Sequence, residues 1–308
     1  MARVLVLGST NTDLTLHLSR LPGSGETVLG GTLLTGPGGK GANQAVAAAR
    51  AGAQVTFITS VGDDTFGKRA LALFEREGID AKHSRICPGV PSGVALIFVG
   101  DRGENMIGVG SGANAELSSV DIERLPESLF DDHAVLLIAG IEVPIDAVKA
   151  MVGRARGKTL KVVLNPAPVP SDRVDETILK YVDVVTPNRG ELELLTGIST
   201  ASEDGLVRAA RELPVRNVVV TLGSEGCLFL ESGEVRKLPA HRVLAVDTVA
   251  AGDAFSGALA VALAEGKSLF EAASWANAAG ALAVTIHGAQ DSLPSREAID
   301  RQASRRYV

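Results

Sequence analysis

Cysteine is almost missing from this 308-residue chain: Cys87 and Cys227 stand far apart, without metal-ligand spacing. That excludes a zinc site and makes free thiols in a reducing cytoplasm the expectation. Aromatic residues reach only 4%, beside 34 glycines, so many tight backbone approaches are expected. No Lys/Arg-rich run occurs and the formal net charge is −6. A nucleic-acid surface, whose affinity depends on neutralising phosphates, is therefore not expected, and small molecules are the expected partners. No stretch reaches the roughly 18 apolar residues of a membrane span, and residues 1–8 lead into a polar segment too early for a signal sequence. Internal repeats, long linkers and low-complexity tracts are also missing, which leaves one principal α/β domain. With 45% apolar and 21% charged residues, the composition is that of an ordinary soluble protein.

What is present is an alternation of strand and helix signals. Arg3–Gly8 is a short apolar run ending in glycine, the pattern of a strand buried on both faces of a parallel sheet. Over 13–19 polar and apolar residues alternate, the period of a half-exposed strand. After the Pro22-Gly23-Ser24-Gly25 turn a second strand is predicted over 26–35, so residues 13–35 read as a small antiparallel lid. Residues 36–44 form a glycine-rich loop opening an Ala-rich helix that ends near Arg50 and Gly52. Its spacing matches neither a P-loop nor the dinucleotide fingerprint. Strands are predicted over 54–60 and 83–87 with a helix at 65–77 between them. A hairpin over 92–99 and 105–109 suits either the main sheet or the lid, and a shared role is favoured. Later strands are predicted at 134–139, 162–165, 182–186 and 217–221, and helices at 175–181, after Pro187, and over 269–285.

The stretch 246–257 carries the sharpest chemistry. Phe255, Leu259, Ala262 and Leu263 recur at helical spacing, so a helix should start near Gly252. Ala250, Ala251 and Gly252 carry little bulk, so the unpaired N–H groups and dipole of that helix start can face an anion closely. Asp253 fits two roles: a capping acid favoured by the dipole, or a general base taking a proton from a hydroxyl that attacks a phosphoryl group. Glu142, just past an apolar strand, lies where open α/β sheets place ligands, and equally fits a helix-entry acid before Pro144. Asn188 and Glu191 are spaced to hold waters around magnesium, though the same pair makes an ordinary capping box. Residues 222–226 bring backbone amides near phosphates or an adenine, or turn a hairpin. Residues 287–292 form a polar loop able to return toward Asp247 and supply carbonyls to a cation.

Five stretches together resemble the ribokinase/PfkB carbohydrate-kinase family: Asn11-Thr12-Asp13; Gly38-Gly39-Lys40-Gly41-Ala42-Asn43-Gln44-Ala45; Asn165-Pro166-Ala167-Pro168; Thr186-Pro187-Asn188 with Glu191; and Asp247-Thr248 through Gly252-Asp253. The similarity spans almost the whole chain. It implies a three-layer α/β/α sandwich with a central, mostly parallel sheet, and a small β lid formed by about 13–35 and parts of 83–110, all within one kinase domain over 1–308. It also implies ATP as phosphoryl donor, Mg²⁺ on the phosphates, activation by K⁺ or another monovalent cation, and a homodimer through the lids. The implied reaction is phosphorylation of D-ribose at its 5-hydroxyl. Another sugar or a nucleoside, such as deoxyribose, fructose or adenosine, stays open as acceptor.

By the same resemblance Asp253 is the base, and Ala250, Ala251 and Gly252 form the anion hole with it. Asn11, Asp13, Gly39, Lys40, Gly41, Ala42, Asn43 and Glu142 would bind the sugar. Asn188, Thr221, Leu222, Gly223, Ser224, Glu225, Gly226 and Asn277, with Gly252 and Asp253, would contact the nucleotide. Glu191 would organise Mg²⁺ through water. Asp247, Val249, Ala283, Ile286, Gly288 and Ser292 would surround the monovalent ion, several through main-chain oxygens; Ile286, His287 and Asp291 are less typical in that loop. Two rival classes are a silent sugar-binding protein and a dinucleotide-dependent oxidoreductase. The intact Asp253 and Glu191 speak against the first, and the missing glycine fingerprint after the first strand speaks against the second.

Overall fold

The computed structural model describes residues 1–170 and 176–305. Its strands in chain order are β1 (Arg3–Gly8), β2 (Asn11–Leu18), β3 (Thr32–Gly38), β4 (Gln54–Ile58), β5 (Ser60–Gly62), β6 (Arg85–Cys87), β7 (Gly93–Gly100), β8 (Asn105–Gly110), β9 (Val135–Ala139), β10 (Lys161–Asn165), β11 (Val184–Val185), β12 (Asn217–Thr221), β13 (Cys227–Glu231) and β14 (Glu234–Leu238). Eight of them make one sheet in the order β14-β13-β12-β11-β10-β9-β1-β4. β1 pairs in parallel with both β4 and β9, and only the pairs made by β13 are antiparallel.

Side-chain alternation along these strands divides the core in two. Val4, Val6, Phe57, Val135 and Leu137 pack against the Lys40–Arg50, Ala251–Ala264 and Leu269–Ala283 helices. Leu5, Leu7, Leu136 and Ile138 face the opposite way, onto the Ile145–Ala155 and Glu203–Glu212 helices. The result is the three-layer α/β/α sandwich. β1 is apolar throughout because both its faces are covered, each buried Val or Leu contributing roughly 1.5–3 kcal/mol. Among the described residues no helix is long and apolar enough to cross a membrane.

Two Ala-rich helices on the first face meet at Gly257, and this contact sets the distance between Gln44 and Asp253. A Cβ on Gly257 would come 2.6 Å from Ala47 Cβ and 2.9 Å from Gln44 O. Gly257→Ala is expected to destabilise the protein by about 1–3 kcal/mol, because overpacking against backbone exceeds the ~1 kcal/mol gained in helix propensity. A lowered urea midpoint at unchanged slope is the measurement that checks it.

The strands β3-β2-β7-β8 form a separate, smaller sheet. β2 pairs antiparallel with β3 but parallel with β7, so this sheet is mixed rather than antiparallel throughout. The strand predicted over 26–35 runs instead from Thr32 to Gly38, since Gly30 and Gly31 adopt φ of 90° and 102° and interrupt it upstream. The hairpin of β7 and β8 lies wholly in this sheet and is not shared with the main one. β6 pairs with β5 in a two-stranded sheet of its own, so it adds nothing to the lid strands. The strand predicted over 182–186 shrinks to the two residues of β11. Of the helix predicted over 175–181, Glu176–Leu179 is helical, and its start at Asp175 lies outside the described residues. In β2 the period of two sends Asn11 and Asp13 to one face and Leu14 and Leu16 to the other. The C-terminal ends of β1, β9, β10, β11 and β12 point to one edge of the main sheet, where Ser9, Glu142, Asn165, Thr186 and Thr221 gather.

Candidate active site

The Ala251–Ala264 helix begins one residue earlier than its sequence predicts, and it begins without a side-chain cap. Ala250 occupies the N-cap position in the left-handed region, at φ 59°, a conformation that costs a non-glycine residue roughly 1–2 kcal/mol. The helix closes when Ala254 N–H reaches Ala250 O at 2.8 Å, leaving the N–H groups of Gly252 and Asp253 without a backbone acceptor among the described residues. Gly252 is exposed, and a Cβ there would meet no atom within 4 Å. Donors and dipole at this helix start therefore face open space, the arrangement that receives an anion.

The Asp253 carboxylate is turned aside from those donors, so it is not the helix cap. Its Oδ2 accepts from Asn43 Nδ2 at 3.0 Å and its Oδ1 from Gln44 Nε2 at 2.9 Å. Burial raises its proton affinity above that of an ordinary aspartate; Lys40 and the two amide hydrogen bonds pull it back, and Glu142 pushes it further up. Counted as a whole residue, Asp253 is half-buried.

The glycine loop that opens the Lys40–Arg50 helix looks similar in sequence but differs in kind. Its first N–H groups already have protein acceptors: Lys40 N–H donates to Glu142 Oε2 (3.2 Å), Gly41 N–H to Ser9 Oγ (3.4 Å) and Ala42 N–H to Ser9 O (2.8 Å). Ser9 Oγ donates to the same Glu142 oxygen. Glu142 thus serves this helix rather than the Ile145–Ala155 helix that follows it in sequence. The stem of Lys40 lies against Gly140, and its ammonium group makes no ion pair among the described residues. It nonetheless draws down the proton affinities of Asp13, Glu191 and Asp253, which places it among three carboxylates.

Asp13 reaches this group from the lid. Burial, then the neighbouring Glu142 and Asp253 charges, push its pKa up to about 6. A Cβ on Gly38 in β3 would overlap its carboxylate, which explains the glycine there. Asn11 lines a cleft of about 400 Å³ with Glu142, Val109, Ile141, Asn114 and Pro168. Asn114 is a residue that sequence reasoning missed. It is fully buried, accepts from Thr10 N–H at 2.9 Å and donates to Asn11 Oδ1 at 2.7 Å. With its oxygen so engaged, Asn11 has its NH₂ left to donate. Nothing near Asn114 in sequence signals this; only the fold brings it to Thr10.

On the far side, Asn188 and Glu191 form the capping box in full: Asn188 Oδ1 accepts Glu191 N–H and Glu191 Oε2 accepts Asn188 N–H, each at 2.8 Å. The capping reading is therefore realised. Glu191 also has a raised proton affinity through burial, with Asp253 adding to the rise, so it belongs electrostatically to the same site. Residues 221–226 do turn a hairpin between β12 and β13, and Arg189 ties them to this helix start through Glu225 at 3.0 Å. Gly223, Ser224 and Glu225 are exposed there, whereas Leu222 and Gly226 are buried. Asn277 is buried and donates to Pro239 O at 2.7 Å. Asp247 accepts Val249 N–H through Oδ1 (3.0 Å) and Gly288 N–H through Oδ2 (2.9 Å), which brings the 287–292 loop back to it. Gln44 and Gln290, absent from the sequence-predicted set, complete the surroundings of Asn43 and Asp253.

The family model described as pfkB family carbohydrate kinase matches residues 1–296. A ribokinase of Haemophilus influenzae is 39% identical over 295 residues, covering 95% of each chain. A deoxyribokinase of Salmonella typhi is 36% identical over 304 residues, covering 98% of each. Among solved structures, Arabidopsis thaliana ribokinase complexed with ribose and ATP superposes with a TM-score of 0.89 at 30% identity, covering 99% of this chain and 100% of that one.

Proposed function

The chain belongs to the pfkB family of carbohydrate kinases, and from that premise we propose that it transfers the γ-phosphoryl group of ATP to the 5-hydroxyl of D-ribose, giving ribose 5-phosphate and ADP. The observation that carries this reading is the Asp253 carboxylate, held by Asn43 and Gln44 beside the unpaired N–H groups of its own helix. Asp253 takes the hydroxyl proton as the oxygen attacks the γ-phosphorus, and ADP leaves with the electron pair of the broken P–O bond. Its raised proton affinity suits that task. The N–H groups of Gly252 and Asp253, with the Lys40 ammonium, meet the charge on the moving phosphoryl group. Asp13, Asn11 and Glu142 supply the acceptors and donors that hold the sugar hydroxyls. Residues 221–226 and Asn188 flank the nucleotide side.

A coupled assay of ADP release with ribose, 2-deoxyribose and fructose at equal concentrations tests the acceptor. Ribose is expected to give the highest kcat/KM. A tenfold or larger preference for 2-deoxyribose would assign the chain to the branch of its deoxyribokinase relative instead.

The pH dependence of sugar binding follows from Asp13. Its ionised carboxylate accepts charge-assisted hydrogen bonds from sugar hydroxyls through both oxygens, whereas the acid turns one oxygen into a donor. The ionised form is present above about 6 and lost as pH falls through that value. The KM for ribose is therefore expected to rise about tenfold per pH unit below 6. Asp13→Asn should raise KM at every pH and flatten this slope, as initial rates across the range will tell.

The residues present also fit the two cations. Among the described residues no three His, Cys, Asp or Glu side chains stand together as a metal cage. Glu191, whose second carboxylate oxygen carries no capping bond, would hold a hydrated Mg²⁺, and the ion would neutralise phosphate charge. A K⁺-sized ion fits the donor set of Asp247, Ser292 and the main-chain oxygens of Val249, Ala283, Ile286 and Gly288. Ser292 Oγ donates to Ala289 O at 2.8 Å, so its lone pairs remain to face an ion.

A homodimer through the lid fits the outer face of that sheet. Leu33, Leu96 and Met106 are 61%, 49% and 54% exposed and share that face with Leu14, Leu16 and Phe98. Leu96→Lys combined with Met106→Lys is expected to convert dimer to monomer in sedimentation velocity, with an unchanged far-UV spectrum.

A further inference from the structure

Two buried amides, Gln44 and Gln290, hold Asp253 and Asn43. Gln44 is 0% exposed and Gln290 3%. Gln44 Nε2 donates to Asp253 Oδ1 at 2.9 Å and to Asn165 Oδ1 at 3.0 Å, and Asn165 Nδ2 is itself held by Thr186 O at 2.9 Å. Gln290 Nε2 donates to Asn43 Oδ1 at 3.2 Å, and Asn43 Nδ2 donates to Asp253 Oδ2 at 3.0 Å. Gln290, Asn43 and Gln44 thus all direct their NH₂ groups along these bonds toward one carboxylate. An ionised carboxylate only accepts, so it dictates that polarity. The Oε1 atoms of Gln44 and Gln290 are buried without a protein partner among the described residues, so local packing gives no separate reason for it.

Gln290 is presented from a fixed backbone. Arg50 Nη1 donates to Gln290 O at 2.6 Å and to Leu293 O at 3.1 Å, and Arg50 is in turn held by Glu77. Its amide therefore reaches Asn43 from an anchored loop more than two hundred residues away in sequence.

We propose that Gln44 and Gln290 are positioning residues that keep Asp253 ionised and aimed into the site, Gln44 directly and Gln290 by fixing which end of the Asn43 amide faces it. The proposal rests on the reading of Asp253 as the base. The charged groups that face Asp253 from other elements are Lys40, Glu142, Asp13 and Glu191, and none of them is changed by substituting either glutamine.

Gln290→Glu keeps the shape and exchanges a donor for an acceptor. It also adds a negative charge that would raise the Asp253 proton affinity by itself, so the neutral variants Gln290→Leu and Gln44→Met decide the positioning roles. In Gln290→Glu, Asn43 must turn its NH₂ toward position 290 and its oxygen toward Asp253, where two acceptors oppose each other unless Asp253 carries a proton. The acidic limb of the single-turnover rate against pH is expected to move up by about one unit, a tenfold change in protonation, with KM for ATP unchanged. Gln290→Leu and Gln44→Met add no charge and only remove a donor; they should move the limb the same way by less, and their shift decides the positioning roles whether or not Gln290→Glu folds. A purely structural role predicts lower melting temperatures with the limb unmoved, and that result overturns the proposal. Asp253→Asn, measured alongside, separates the two readings. If it retains turnover, the base assignment itself fails; if it is inactive while the limb stays fixed in the glutamine variants, only the positioning roles fail.

Discussion

Asp253→Asn is expected to lower kcat by about 10²–10⁴-fold, the range that a positioned general base contributes, while KM for ribose and ATP stays within about threefold. Asparagine keeps the size of the side chain but cannot take the hydroxyl proton. The stability of the variant provides the control. Burial raises the proton affinity of Asp253 in the folded protein, so the ionised form is unfavourable to folding at any pH above its folded pKa, and that penalty disappears below the unfolded value. A neutral amide removes the penalty near neutral pH, although its NH₂ must face one of the donors on Asn43 or Gln44. The melting temperature is therefore expected not to fall. Loss of turnover at an undiminished melting temperature supports the base; turnover within tenfold of the unmodified enzyme removes Asp253 from that role.

Gly252→Val is expected to reduce turnover by at least about 10²-fold, the scale of losing one donor to a developing anion, and to leave the fold intact. Glycine is required at this position neither by a left-handed backbone nor by packing, since a Cβ would meet no protein atom within 4 Å. Valine even has the better helix propensity, by a few tenths of a kcal/mol. Its side chain would instead enter the space in front of the Gly252 and Asp253 N–H groups, where the phosphoryl group must pass. Five residues on, Gly257 gives the opposite division, because there the added carbon strikes Ala47 and the Gln44 backbone. Circular dichroism, urea midpoints and ADP release on the two variants should separate a glycine kept for chemistry from one kept for packing. Normal turnover in Gly252→Val would show that the helix start is not the anion site.

Much of this architecture is written in local pattern. The double burial of β1 is legible in an unbroken apolar run, and the helix at 251–264 in small and apolar residues at helical spacing. Those signals are short-range, so they survive translation into sequence. The two glycine-led helix starts show where such reasoning stops. Both lead small residues into a helix start, but Glu142 and Ser9 fill the donors of one, and neither residue is near it in the chain. The Asn188 and Glu191 pair is ambiguous for a different reason: a capping box and a water-mediated metal ligand ask for the same residues at the same spacing, and the box formed here leaves one Glu191 oxygen without a capping bond. The roles of the Asn114, Gln44 and Gln290 amides are not legible in the sequence, even where Gln44 stands in a family-like stretch and Gln290 in the 287–292 loop. A buried amide is defined by its partner, and these partners lie 104, 209 and 247 residues away. The early start predicted for β3 has a simpler cause, the paired glycines at 30 and 31.

β2 is eight residues long and two-sided, with Asn11 and Asp13 on the face of Glu142 and Asp253 and Leu14 and Leu16 on the other. A single residue gained or lost within it would exchange the two sides at once, placing leucines beside Glu142 and Asp253 and an acid on the outer face. Variation of the face beside Asp253 through this ribbon is thus restricted to replacing one side chain by another. Changes in length have to be absorbed in the largely exposed connection over 19–31, which carries neither surface.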